Sequence, residues 1–158
     1  MRKKTLFITQ SALIAALYVA ITYLTNLLGL SNGVIQVRIS EALTILPTFM
    51  LPAVPGLFVG CIMANIITGC ALWDIVFGSI ATLLGALGTY YFGKNAFLAA
   101  LFPIAANTLI VPFILKIVYG AEGALAFFFL TIFIGELISC GIFGGLLYNA
   151  IKKGHIFK

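Results

Sequence analysis

Charge is what this chain has least of. Asp, Glu, Lys and Arg make up 8% of its 158 residues, against 63% hydrophobic residues. A soluble domain carries roughly a quarter charged residues, so the composition points to an integral membrane protein. Ten-residue segments alternating polar-in and apolar-out are absent, which argues against a membrane barrel. The single histidine, His155, stands in the basic tail, where a solvated surface role is expected. Three cysteines, Cys61, Cys70 and Cys140, lie singly in apolar segments without metal-ligand spacing and read as small hydrophobes. No nucleophile is paired with a histidine, and neither H-E-x-x-H, an acidic cluster nor a Walker motif occurs. No enzymatic activity, metal or cofactor is therefore expected, and any energy coupling must come from another protein.

What is present is a series of membrane-length apolar segments. A spanning helix takes about 20 residues, so the chain has room for about six spans with short loops. The fold class expected is all-α, one polytopic six-helix transmembrane domain over residues 1–158. The helices are expected at Thr5 to Leu28, Ser40 to just before Pro52 with a kink or break at Pro47, Gly56 to Thr68, Ile75 to Tyr91, Ala96 to Val118, and Ala124 to Ile151. Asn32-Gly33 marks a turn after the first helix, Val34 to Ile39 reads as a short extended lid piece, and Gly69 to Asp74 as an external loop. The apolar run Leu6 to Leu30 is too long for a typical signal core and is taken as the first span.

The nine basic residues fix an expected orientation. Arg2, Lys3, Lys4, Lys94, Lys152, Lys153 and Lys158 fall on one side and only Arg38 and Lys116 on the other, seven against two. By the positive-inside rule both termini are cytoplasmic. Gln36–Glu41, Trp73-Asp74 and Glu122 then face outward. The net charge of +5 is thus a topology signal, not a phosphate-binding patch, and no nucleic-acid partner is expected.

Against this background the few polar groups stand out. Glu136 lies mid-helix, where a carboxylate costs on the order of 2.5–3.5 kcal/mol on insertion scales. It must face a cavity, pair with Lys116, or be buried as the neutral acid. Asn107 sits between Pro103 and Pro112. Pro103 has no N–H and frees the carbonyl of Ala99, loosening the helix locally. Asn107 is either a ligand contact or an interhelical clamp, and Asn65 is similar. Trp73, beside Asp74, is either an interfacial-belt aromatic or a stacking platform. Arg38 and Glu41, three residues apart, either cap the second helix as an ion pair or form the rim of a pocket. Ala12, Ala16 and Ala20 recur every four residues on one helix face, which suits close helix packing either inside the bundle or against a partner.

The block V-R-I-S-E-A-L-T-I-L-P (Val37–Pro47), with P-G-L-F-V-G-C-I-M-A-N (Pro55–Asn65), W-D-I-V-F-G-S-I-A-T-L-L (Trp73–Leu84) and G-E-L-I-S-C (Gly135–Cys140), resembles the QueT family. The likeness spans nearly the whole chain and is most specific over Gln36 to Tyr91. It implies the substrate-binding S component of an energy-coupling-factor transporter for queuosine precursors. Such a component is a six-helix bundle in the cell membrane whose loops after helices one, three and five close over the solute. It works with a transmembrane coupling subunit and two cytoplasmic ATPases, and topples in the lipid bilayer to release the solute inside. A face of the A-x-x-x-A kind on its first helix contacts the coupling subunit, which Ala12, Ala16 and Ala20 match.

A deazaguanine presents a lactam N–H next to an exocyclic amine, and one carboxylate can accept from both. Under this resemblance Glu136 is the expected anchor, Asn107 and Asn65 read the carbonyl and ring edges, Trp73 stacks, and Asp74 or Glu41 pairs with an aminomethyl group. The rival readings are an S component for another vitamin-like solute and a non-enzymatic membrane scaffold.

Overall fold

The computed structural model describes residues 2–30, 36–120 and 122–154. The turn expected at Asn32-Gly33, and His155 and Lys158 of the tail, lie outside them. The regular secondary structure of the described residues is all helical, with no strand. In chain order they form α1 (Arg2–Leu27), a 3-10 helix (Ile39–Thr48), α2 (Ala53–Ile67), α3 (Leu72–Phe92), α4 (Ala96–Ile117), α5 (Leu125–Glu136), a π-helical segment (Leu137–Phe143) and α6 (Gly144–Gly154). Four elements are long and apolar enough to cross a membrane: α1, α3, α4 and the continuous 30-residue run Leu125–Gly154.

Local chemistry accounts for the boundaries. Asn95 caps α4, its side chain accepting from the Leu98 N–H at 2.8 Å. Pro55 falls in the first turn of α2, where a missing N–H removes no helical bond. Pro103 does remove one inside α4, and Thr89 of α3 compensates: its hydroxyl donates to the freed Ala99 carbonyl at 2.7 Å. That bond helps hold α4 against α3. Close approach does the rest, since a methyl group on Gly85 would lie 2.7 Å from Pro103 Cα. Likewise a methyl group on Gly60 of α2 would lie 2.9 Å from Tyr18 Cβ on α1.

Three local expectations are corrected. The second element is a ten-residue 3-10 helix with Pro47 inside it, not an α-helix kinked or broken there. Ser40 to Pro47 are all buried, so it runs through the centre of the bundle. Trp73 and Asp74 lie in the first turn of α3 rather than in a loop; Asp74 there meets the positive end of the helix dipole. The last helix is interrupted by the π segment immediately after Glu136, a feature that alters side-chain register and recurs at functional sites.

Candidate functional site

Four helices each contribute two inward-facing residues one turn apart, about 5.4 Å along an axis. They are Tyr18 and Thr22 on α1, Cys61 and Asn65 on α2, Thr82 and Gly78 on α3, and Asn107 and Val111 on α4. The result is a site in two tiers.

The upper tier is an open cavity of about 400 Å³, lined among others by Thr22, Arg38, Asn65, Asp74, Val111 and Tyr119. Arg38 Nη2 lies 4.0 Å from Asp74 Oδ2. Burial works against the Arg38 charge, but Asp74 and more distant groups outweigh it and keep the guanidinium protonated. Tyr119 donates its hydroxyl to the same Asp74 oxygen at 3.2 Å and accepts from the Ala71 N–H at 3.0 Å. Burial and the Asp74 charge raise the Tyr119 phenol above its ordinary range, so it remains a donor. Asn65 Nδ2 reaches the Asp74 carbonyl at 3.4 Å.

The lower tier is a buried cluster of polar side chains set among apolar ones. Tyr18 donates its hydroxyl to Glu41 Oε1, and Thr82 donates to the same oxygen at 3.4 Å. The Cys140 thiol donates to Glu136 Oε2 at 3.3 Å, and Thr44 donates to the Glu41 carbonyl at 2.5 Å. A carboxylate oxygen of Glu41, one of Glu136 and Cys140 Sγ all lie within 4.8 Å of one another. That is compact enough to hold a cation. Two polar atoms here lack a hydrogen-bond partner among the described residues: Glu41 Oε2 and Asn107 Nδ2. Their side chains are 1% and 4% exposed, so water does not satisfy them freely. The Asn107 amide sits beside both carboxylates without meeting either in hydrogen-bond geometry. An orphaned acceptor next to an orphaned donor suits a ligand edge carrying both complements.

The expected residues therefore divide. Glu136, Asn107 and Glu41 meet in the lower tier, and Asn65, Asp74 and Arg38 line the upper one. Arg38 pairs with Asp74, and Glu41 is held by Tyr18 and Thr82, so the i,i+3 pair considered for Arg38 and Glu41 gives way to partners across the bundle. Lys116 donates to the Gly123 carbonyl at 2.9 Å. Trp73 lies apart: it is 57% exposed, stacks on Phe77 at 5.8 Å, and lines an outer apolar groove between α3 and α4 with Phe113. Ala12, Ala16 and Ala20 are all exposed on α1. Residue-by-residue reading missed Tyr18, Thr44, Thr82 and Cys140. The stripe Tyr18, Thr22, Thr25 opposite the alanine face was the available signal for the first.

The segment entering the 3-10 helix rests directly on α5. A methyl group at Gly135 would overlap the backbone carbonyl of Gln36, and backbone cannot swing aside as a flexible side chain can. Gly135→Ala is therefore expected to cost about 1–3 kcal/mol by overpacking, read as a lowered melting temperature of the purified protein. Gly145→Ala, whose methyl group would meet nothing within 4 Å, is the control and leaves it unchanged or raised. Equal melting temperatures for the two variants would show that Gln36 is not seated there.

The model of the family described as QueT transporter matches residues 8–153 of the chain. A curated relative, the queuosine precursor transporter QueT of Lactococcus lactis subsp. cremoris (strain MG1363), is 33% identical over 95 residues. That stretch covers 59% of this chain and 55% of the relative, so the chain spans about half the length of the curated protein it matches. No solved structure matches it.

Proposed function

Because the chain belongs to the QueT transporter family, we propose that it is the substrate-binding component of an energy-coupling-factor transporter, capturing a queuosine precursor from outside. ATP-driven uptake is then supplied by a coupling subunit and two cytoplasmic ATPases, and this chain is not itself an enzyme. In this reading it is a multi-pass protein of a bacterial cell membrane, with both termini cytoplasmic. The 3-10 helix and the 15-residue α2 complete six crossings with the four long elements.

The observation that carries the substrate reading is the orphaned pair, Glu41 Oε2 and Asn107 Nδ2, beside Glu136. A deazaguanine supplies both complements: a lactam N–H and exocyclic amine for a carboxylate, and a ring carbonyl for the Asn107 amide. Glu136 takes the bidentate role, Asn107 the carbonyl, and Asn65 with Arg38 and Asp74 shapes the entry above. Trp73, turned outward onto Phe77, serves as an interfacial aromatic.

Isothermal calorimetry on the purified chain alone tests this, using queuine and its aminomethyl and cyano precursors. At least one is expected to bind with micromolar affinity or better, without ATP hydrolysis. If none binds at that level, the substrate assignment fails. Mass spectrometry of any ligand carried through purification then identifies a different solute.

A further inference from the structure

The two tiers hold three carboxylates, on Glu41, Glu136 and Asp74, all buried. Against them the site sets one guanidinium, that of Arg38. Its influence extends to both glutamates, but its ion-pair partner is Asp74. Among the described residues, the hydrogen bonds to the two glutamate carboxylates come from neutral donors: Tyr18, Thr82 and Cys140. Carboxylates at such close range repel when both are ionised, and a buried charge without a positive partner is costly. A neutral solute edge on Glu136 satisfies hydrogen bonds, yet when both glutamates are ionised it leaves the negative surplus in place. A positive group between the tiers removes it.

Resting on the substrate reading above, we propose that the solute is bound as a cation, with an ammonium group on the free Oε2 of Glu41 while Glu136 takes the neutral ring edge. The site is then selective within its own ligand class. It favours the precursor with a primary amine over the isosteric neutral one with a nitrile. Geometry assigns this role to Glu41 rather than Asp74. Asp74 already meets Arg38 and Tyr119, whereas Glu41 has an oxygen with no hydrogen-bond partner among the described residues. Tyr18 and Thr82 both bond the other oxygen and so aim the free one.

Calorimetry with the aminomethyl and cyano deazaguanines on the full chain decides it. The wild type is expected to bind the amine about 10- to 100-fold more tightly than the nitrile, the range of one charge-assisted hydrogen bond. Glu41→Gln is expected to bring the two affinities together, mainly by weakening the amine. Tyr18→Phe and Asp74→Asn keep the Glu41 carboxylate and are expected to keep the preference, whatever they do to absolute affinity. Equal wild-type affinities overturn the proposal, as does a preference that survives Glu41→Gln or vanishes in Asp74→Asn. If Glu41→Gln does not fold, the wild-type comparison together with Asp74→Asn still decides. These results differ from failure of the substrate reading, in which neither compound binds and both proposals fall.

Discussion

Glu136→Gln is expected to weaken deazaguanine binding by about a hundredfold or more. The carboxylate is asked to accept two hydrogen bonds at once, from the lactam N–H and the exocyclic amine. Each bond to a charged group is worth about 1.5–3 kcal/mol when fully desolvated, and Glu136 is buried. Glutamine keeps the shape but loses the charge, and it turns an NH₂ toward a ligand edge that is itself a donor. The fold has reason to survive the change, because the amide oxygen of glutamine still accepts from the Cys140 thiol that now bonds Oε2. Calorimetry alongside a melting curve separates lost binding from lost fold. Unchanged affinity in a stable Glu136→Gln protein would remove Glu136 as the anchor.

Ala16→Leu is expected to abolish co-purification with the coupling subunit while leaving solute affinity intact. Within lipid, helices associate through close packing rather than hydrophobic exclusion, and small residues at four-residue spacing permit the shortest approach. Ala12, Ala16 and Ala20 form such a face and are exposed. The bundle's own use of α1 lies elsewhere, since Gly56 and Gly60 of α2 pack on Ser11, Ile14, Ala15 and Tyr18. A leucine at the centre of the outer face therefore meets no part of this chain's core and props a partner away. Retained co-purification would discard the alanine face as the docking surface. Loss of both partner and solute would point to misfolding.

The helical class was legible in the near absence of charge, and the six apolar segments fall close to the helices found. Register inside the segments was less legible. Pro47 predicted a kink or break, yet burial on all sides lets a tight 3-10 helix persist through it. The loop expected at Trp73-Asp74 is instead the first turn of α3, because Asp74 both suits a helix N-terminus and finds Arg38 and Tyr119. Glu136 and Asn107 announced themselves as polar groups in apolar helices, a signal that needs no alignment. Their juxtaposition with Glu41 and Tyr18 did not, because Tyr18 is 23 positions from Glu41 and Cys140, which bonds Glu136, is 99 from it. Such contacts arise from helix rotation and the π segment, neither of which leaves a simple periodic trace.

Docking of a partner on the alanine face would tie it to solute binding through the two faces of α1. Residues 16 and 18 project about 200° apart on a helix, so the outward Ala16 is almost back to back with Tyr18, whose hydroxyl grips Glu41. One turn on, Thr22 holds Ser40 at 2.7 Å. If the alanine face docks a partner, the helix is a lever with one side against a neighbour and the other fastened to Glu41. A displacement of α1 by a single turn would carry both hydroxyls clear of the 3-10 helix. Thermodynamic reciprocity makes any such link two-way: the factor by which an occupied site changes the grip of a partner on α1 equals the factor by which that partner changes the grip on the solute.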